Sequence, residues 1–398
     1  MGDLLFLAHR SPFPPDRGDK IRAYNVLKYL AAKKRVHLLA FADDRRDLDD
    51  TGLAPLTASR KVLWRGKSRV AATLEALAQG KPASLTAFDS AAMRDAVADV
   101  LAREAIDTIY VFSGQMAQYV PADFGGRVIM DFCDMDSLKF ADYAKDAHGP
   151  MRWLMTREAD KLEAFERATA RRVDASLFVS AAEADLFRQK TGAANVMVVE
   201  NGIDTDLFDP AARFDAVGGG GPLIVFTGQM DYRPNVDAMT WFARDILPTI
   251  RATHPAARFA VVGRNPTVEV RALASDAVIV TGEVPDVRGW LAAAACVVAP
   301  LKIARGIQNK VLEAMAMARP VVVSGPAAEG IDHEDAIRVG RGANGIAQAV
   351  NGLLEDQDQA EALGRRAREQ VRKRYGWAAR LAPLDAFISA ERSVRDAA

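Results

Sequence analysis

Residues 216–226, Ala216-Val217-Gly218-Gly219-Gly220-Gly221-Pro222-Leu223-Ile224-Val225-Phe226, mark the point where the strand–helix rhythm of the chain begins again. Four glycines ahead of an apolar strand read as a flexible joint, and domain boundaries fall in such linkers. They are not a dinucleotide fingerprint, because that loop follows a strand and opens a helix. Upstream, apolar runs at Leu4–Ala8, Val36–Phe41, Val62–Trp64, Thr108–Phe112, Val128–Phe132, Ala175–Val179 and Val196–Val199 predict strands. Between the first two, Ala23, Val26, Leu27 and Leu30 share one face of a helix over Ile21–Ala32. Downstream, the pattern resumes with Leu223–Phe226, Phe259–Val262, Val278–Val280, Val297–Ala299 and Val321–Val323. Such alternation is the signature of parallel βαβ units. The fold class is read as α/β, two doubly wound Rossmann-like domains facing a central cleft. Residues 1–207 form the first domain and residues 208–374 the second. Ligands are expected outside the carboxyl ends of both sheets.

Composition agrees with two domains. The chain has 398 residues, and single cores stop growing near ~250–300 residues. With 49% hydrophobic and 26% charged residues it reads as an ordinary globular protein. A formal net charge of zero gives no pointer to nucleic acid. Cys133 and Cys296 are isolated in apolar surroundings, which reads as a reducing compartment without a disulfide framework or metal cluster. No His or Cys spacing matches a zinc site. The apolar run Leu4–Ala8 has no basic region before it, and no run of 18 apolar residues occurs. A cytoplasmic protein is expected, with contact at a membrane surface left open.

Function is written most densely in Pro300–Ser324, PLKIARGIQNKVLEAMAMARPVVVS. A loop holding Arg305 and Gly306 passes through Ile307, Gln308 and Asn309 into a helix, and then into the strand Val321–Val323. Residues three or four apart share a helix face, which groups Gly306, Lys310 and Glu313 near the helix start. A glycine lets an anion approach the backbone N–H groups there, where the macrodipole favours negative charge. Lys310 adds a cation, and Glu313 adds a two-oxygen acceptor about one turn on. Phosphate at one end and a diol at the other describe a nucleoside diphosphate. The alternative is a plain surface helix with a Lys–Glu pair.

The first half has two constellations of its own. After Leu4–Ala8 comes His9-Arg10-Ser11-Pro12-Phe13-Pro14-Pro15-Asp16-Arg17-Gly18-Asp19-Lys20. Gly18 permits a close approach of backbone to ligand, and Asp19 suits a helix cap. Lys20 and Arg22 in a first helical turn oppose the macrodipole, a conflict that a docked anion relieves unless both point to solvent. His9 at the strand tip is either functional or a packing histidine; His37 reads as structural. At the end of another strand stands DFCDMDS, with Asp131, Asp134 and Asp136. Asp134 or Asp136 binds sugar hydroxyls or orients an acceptor, or else Asp136 and Ser137 cap the next helix.

The ordered set Asn201-Gly202-Ile203-Asp204, Phe226-Thr227-Gly228, Val261-Val262-Gly263, Thr281-Gly282 and Glu313-Ala314-Met315-Ala316 resembles the family-4 retaining glycosyltransferases of GT-B fold. The phrases HRSPFPPDRGDKIR, DFCDMDS, FTGQMDYRPNVDA and APLKIARGIQNKVLEAMAMARPVVVS are more closely similar to the sugar transferases of the exosortase/PEP-CTERM exopolysaccharide system. The resemblance implies transfer of a sugar from a nucleotide-diphosphate donor, with retention, without a metal ion and without a further cofactor. It implies donor binding mainly by the second domain and acceptor binding mainly by the first. It also implies that residues 375–398, apolar at Trp377, Leu381, Leu384 and Phe387, form a helix that crosses back onto the first domain. Glu313 falls on the second glutamate of the family's E-x7-E motif, which accepts from the ribose hydroxyls, whereas Arg305 stands at the first. The family's phosphate-binding arginine falls on Gln229, and Pro234 and Asn235 occupy the lysine region. Positive charge must then come from Arg264 and Lys310, with Arg233 and Arg305 as further candidates. Gly228, Val284, Ile307, Gln308 and Asn309 complete the expected donor side, and Lys310, Arg264, Arg305, Asp134 and Asp136 the expected catalytic set.

Arg60–Arg69 and Lys139–Arg157 mix cations with aromatic residues, which suits anionic headgroups and lipid-linked acceptors, or simply a solvated face. Besides a hexosyltransferase acting on a glycan or lipid-linked acceptor, two other readings remain. One is a nucleotide-sugar epimerase of the same fold; the other is a catalytically silent scaffold of a polysaccharide assembly.

Overall fold

The structure is a computed structural model that describes residues 2–48, 51–217, 219–304 and 307–388. Arg305 and Gly306 therefore lie outside the described residues. The chain divides into one unit of Met1–Asn201 with Arg380–Ala398 and a second of Gly202–Ala379. Among the described residues no helix is long and apolar enough to cross a membrane.

The first unit is built on strands β1 (Asp3–Ala8), β2 (Val36–Ala42), β3 (Ser59–Trp64), β4 (Ile106–Phe112), β5 (Arg127–Cys133), β6 (Ala175–Phe178) and β7 (Val196–Val198). Their order is β3-β2-β1-β4-β5-β6-β7, with every pair parallel. Leu4 through Ala8 are wholly buried, as expected for a strand covered on both faces. The order reverses between β1 and β4, which is where such sheets open to ligands.

The second unit carries β8 (Leu223–Thr227), β9 (Arg258–Val262), β10 (Val278–Gly282), β11 (Cys296–Ala299), β12 (Val321–Ser324) and β13 (Arg338–Gly340). These are ordered β10-β9-β8-β11-β12-β13, again parallel. The switch point lies between β8 and β11. Strand β13 escaped the sequence reading, because three residues that include an arginine carry no periodic signal. Where a helix was expected over residues 375–398, the described residues form three short pieces: Trp377–Leu381, a 3-10 turn at Ala382–Leu384, and Asp385–Ile388. Pro383 lacks the N–H that a continuous helix needs. Asp385 ties this segment to the first unit, accepting from Tyr29 Oη at 2.7 Å and Lys33 Nζ at 2.6 Å.

The first helix starts at Gly18 rather than Ile21, and Lys20 and Arg22 are on its buried face. The expectation that they seek an external anion is corrected by their partners. Lys20 Nζ donates to Asp47 at 2.8 Å. Arg22 grips Asp131 through Nε at 3.0 Å and Nη2 at 3.2 Å, while its Nη1 donates to Asn201 at 2.9 Å. Tyr110 Oη and the Cys133 N–H also donate to Asp131. Asp131 is thereby spoken for and is no free ligand. Arg22→Met should leave this buried carboxylate uncompensated and cost about 3–5 kcal/mol in urea unfolding. A change within experimental error would mean that Tyr110 and the backbone suffice to hold Asp131.

Candidate functional site

In the second unit the strand ends are laced together. Gly228 N–H donates to the Val262 carbonyl at 3.1 Å, Met230 N–H to that of Arg264 at 2.9 Å, and Gly263 N–H to that of Gly282 at 3.1 Å. Gly263 packs on the Gly228 carbonyl so tightly that a Cβ there would stand 1.7 Å from its oxygen. A Cβ on Gly228 would meet Asn235 Nδ2 at 2.9 Å and Lys310 Nζ at 3.2 Å. Two glycines thus make room for a polar cluster at the carboxyl end of β8.

Lys310 is the centre of that cluster. It lies in the first turn of helix Asn309–Ala316, whose Val311, Leu312, Ala314, Met315 and Ala316 are buried. Its ammonium donates to Asn235 Oδ1 at 2.6 Å, and Asn235 Nδ2 donates to the Gln229 carbonyl at 2.8 Å. The same ammonium sits 4.3 Å from the centre of the Phe226 ring, a favourable cation–π placement. Burial pushes Lys310 down to about 8, against the opposing charge of Glu313. Burial also raises Glu313, with Lys310 pulling the other way. Among the described residues no side chain donates to the Glu313 carboxylate. A half-buried carboxylate without donors is equipped to accept hydroxyl groups.

The other expected donor-side residues fall into groups. Arg264 is exposed just past β9, with Nη2 on Gln229 Oε1 at 3.3 Å, so a cation does stand beside the Gln229 position. Val284 and Ile307 pack against the core. Gln308 caps the helix without a side-chain cap bond, and Asn309 is its exposed first residue. Arg233 is not brought to Lys310: it pairs with Asp237 at 2.9 Å and lines a separate depression with Trp241, Arg244 and Lys302. Arg305 and Gly306 lie outside the described residues. Asn235 was missed as a site residue. Its only sequence signal is its place beside Pro234, in the region where the resemblance stated above led us to expect a lysine.

In the first unit, Arg10 is a hub that the sequence did not reveal. Its Nε donates to Asp43 at 2.8 Å and its Nη1 to Asp19 at 2.7 Å, while Arg65 also pairs with Asp43. Asp19 does not cap the helix; Arg17 occupies the cap position without a side-chain bond. Burial pushes Asp19 up, yet hydrogen bonds from His9 and Arg10 outweigh it and hold its carboxyl well below the usual range. Gly18 opens the helix, with open space where a Cβ would point. His9 is buried, stacked at 5.8 Å on Phe112, with Nε2 3.3 Å from Asp19. Its Nδ1 is buried without a partner among the described residues. Burial lowers the imidazole despite Asp19.

Asp136 sits close enough to influence His9. It accepts from Gln115 Nε2 at 2.9 Å and pairs with Lys139 at 3.3 Å. Asp134 is exposed, and after burial its charge is the main cause that raises Glu183. Among the described residues only Asp3, His37 and Glu104 bring ligand-type atoms into one cluster. Arg35 already sits there, 2.8 Å from Asp3 and 3.2 Å from Glu104.

Residues 221–356 match the family described as Glycosyl transferases group 1. Over 258 residues the chain is 31% identical to the GDP-mannose-dependent alpha-(1-6)-phosphatidylinositol monomannoside mannosyltransferase of Mycobacterium tuberculosis, a stretch covering 58% of this chain and 66% of the relative. The chain thus spans just under two thirds of that curated relative. Sucrose-phosphate synthase from Thermosynechococcus elongatus superposes with a TM-score of 0.59 at 18% identity, over 97% of this chain and 98% of that one. Anabaena HepE, solved in complex with UDP and glucose, gives 0.55 at 16% identity, over 98% and 100%. The two parallel-sheet Rossmann-like domains are those of the GT-B fold.

The depressed lysine sets a pH signature. Between about 8 and the ordinary 10.5, the unfolded chain holds a proton that the folded Lys310 has lost. Stability should therefore rise with pH across that window, and Lys310→Met should remove the rise in urea titrations. An unchanged slope in the variant would assign the titration to another group.

Proposed function

We propose that this chain is a retaining, metal-independent hexosyltransferase that moves a sugar from a nucleotide-diphosphate donor to a glycan or lipid-linked acceptor. The observation that carries the reading is the pairing of a desolvated, Asn235-anchored Lys310 with a donor-free Glu313 on one helix. The group 1 match over residues 221–356 contains both. The diphosphate lies at Lys310 and the Asn309 helix start, with Arg264 as a second cation. Glu313 accepts from the two ribose hydroxyls, for which a carboxylate is suited.

As the anomeric carbon–oxygen bond breaks, negative charge gathers on the departing diphosphate. A cation fixed by Asn235 and Phe226 is already aimed at that charge, so it stabilises the transition state more than the ground state. The acceptor oxygen bonds to the anomeric carbon on the same face, and its proton passes to the diphosphate. No protein base is needed on this route. In the first domain His9, Asp134 and Asp136 are the groups suited to orient an acceptor, with open space beside Gly18. The His9 Nδ1, buried without a partner among the described residues, supports that assignment. A curated relative is a phosphatidylinositol monomannoside mannosyltransferase and a structural neighbour was solved with UDP and glucose, and the phrases that resemble exosortase/PEP-CTERM transferases favour exopolysaccharide synthesis at the cytoplasmic membrane face.

Titration calorimetry with a panel of nucleoside diphosphates tests the donor side. One base should bind, and Glu313→Ala should weaken it at least tenfold without lowering the melting temperature of the free protein. Equal affinity in the variant would remove the ribose role, and failure of every nucleotide to bind would favour a silent scaffold. Lys310→Met should cut turnover about a hundredfold, the typical loss for one donor aimed at developing charge. EDTA should leave turnover unchanged; loss restored by magnesium would overturn the metal-free route.

A further inference from the structure

Helix Arg69–Gln79 in the first unit is amphipathic the wrong way round. It meets the core through Ala72 and Ala76, which are 1% and 0% exposed. Its large aliphatic residues Val70, Leu74 and Leu77 point outward at 71%, 64% and 41% exposure. Their spacing puts them in one stripe along the helix. A surface helix ordinarily does the reverse, and an outward apolar stripe marks a surface that something covers.

The stripe does not stand alone. Arg157 Nη2 donates to the Ala76 carbonyl at 2.9 Å, which joins helix Gly149–Ala170 to this one. One turn before Arg157 on the same face is Trp153, 60% exposed. Trp64, at the end of edge strand β3, is 55% exposed and is joined to the apolar helix by the short link of residues 65–68.

The charge around the stripe identifies the partner. Between Ser59 and Lys81 the chain carries six cationic residues and one carboxylate, Glu75. Glu75 is already engaged by Lys67 at 2.8 Å, and Arg65 is engaged by Asp43. Arg60, Lys61 and Lys81 are exposed. Aliphatic side chains, two tryptophans and an excess of cationic over acidic residues form the combination that enters the boundary of an anionic bilayer. Tryptophan favours that depth because its ring is apolar and its N–H polar.

We propose that this face, centred on Val70, Leu74 and Leu77 with Trp64 and Trp153, docks the first unit onto an anionic lipid surface. The docking goes beyond the sugar-transfer reading and stands without it, since it is read with neither donor nor acceptor present. Sedimentation of the full chain with vesicles of phosphatidylglycerol and phosphatidylcholine is the test, against vesicles of phosphatidylcholine alone. Binding to the anionic vesicles should be at least about tenfold stronger, because each basic residue near an anionic surface contributes roughly fivefold. Val70→Ser/Leu74→Ser should abolish the binding while the nucleotide-induced rise in melting temperature persists. Arg60→Glu/Lys61→Glu should weaken it and flatten its dependence on salt. Equal sedimentation with both kinds of vesicle, or undiminished binding by the Val70/Leu74 variant, would overturn the proposal. A wild-type dimer dissolved by Leu74→Ser would overturn it too, assigning the face to a second copy of the chain.

Discussion

The contact between the Gly228 carbonyl and the bare backbone of Gly263 governs the second unit's site. Any side chain at Gly263 would lie 1.7 Å from that oxygen, so β8 and β9 could not close their ends on each other. Because they do, the loop after β8 turns back over the sheet and exposes the Gln229 carbonyl to Asn235. Asn235 in turn holds the Lys310 ammonium. The electrostatics of the site are therefore set by backbone sterics two steps away. A methyl group at Gly228 would press directly on the amide and the ammonium that define it.

Local signals in the chain were legible and distant pairings were not. The buried strands β1, β8 and β12 announce themselves as unbroken apolar runs, since a parallel strand covered on both faces tolerates little else. Edge strand β13 has only Arg338-Val339-Gly340 and carries no such signal. Composition placed the joint at the glycines before β8, whereas the second unit already begins at Gly202. The break in the last helical segment was readable only through Pro383, whose effect the apolar spacing masked. At the site, Lys310 and Glu313 share a helix face by spacing alone. Asn235 is 75 positions from Lys310, and helix periodicity says nothing about such a pair.

The same limit explains the misreading of the first helix. Lys20 and Arg22 look frustrated at a helix start if only the macrodipole is considered. Their partners lie 27 and 109 positions away, supplied by the loop after β2 and by β5. Burying a cation with its carboxylate fully matched is a structural solution, and here it ties the first helix to the segment after β2 and to β5. Arg10 works likewise, holding Asp19 and Asp43 together so that His9 is fixed against Phe112.

The buried cations of the first unit and Lys310 of the second are thus treated in opposite ways. In the first, Lys20, Arg22 and Arg10 are each neutralised by a carboxylate at hydrogen-bond distance. In the second, Lys310 is desolvated against Phe226 and bonded to a neutral amide, while Glu313, a turn away, has no donor among the described residues. Neutral partners leave both charges incompletely balanced, which is why burial moves each of them toward its uncharged form. An anion at Lys310 and hydroxyl donors at Glu313 would supply what each lacks, and both gains come from a single ligand. A fully paired Lys310 would be more stable and would have nothing left to offer a diphosphate.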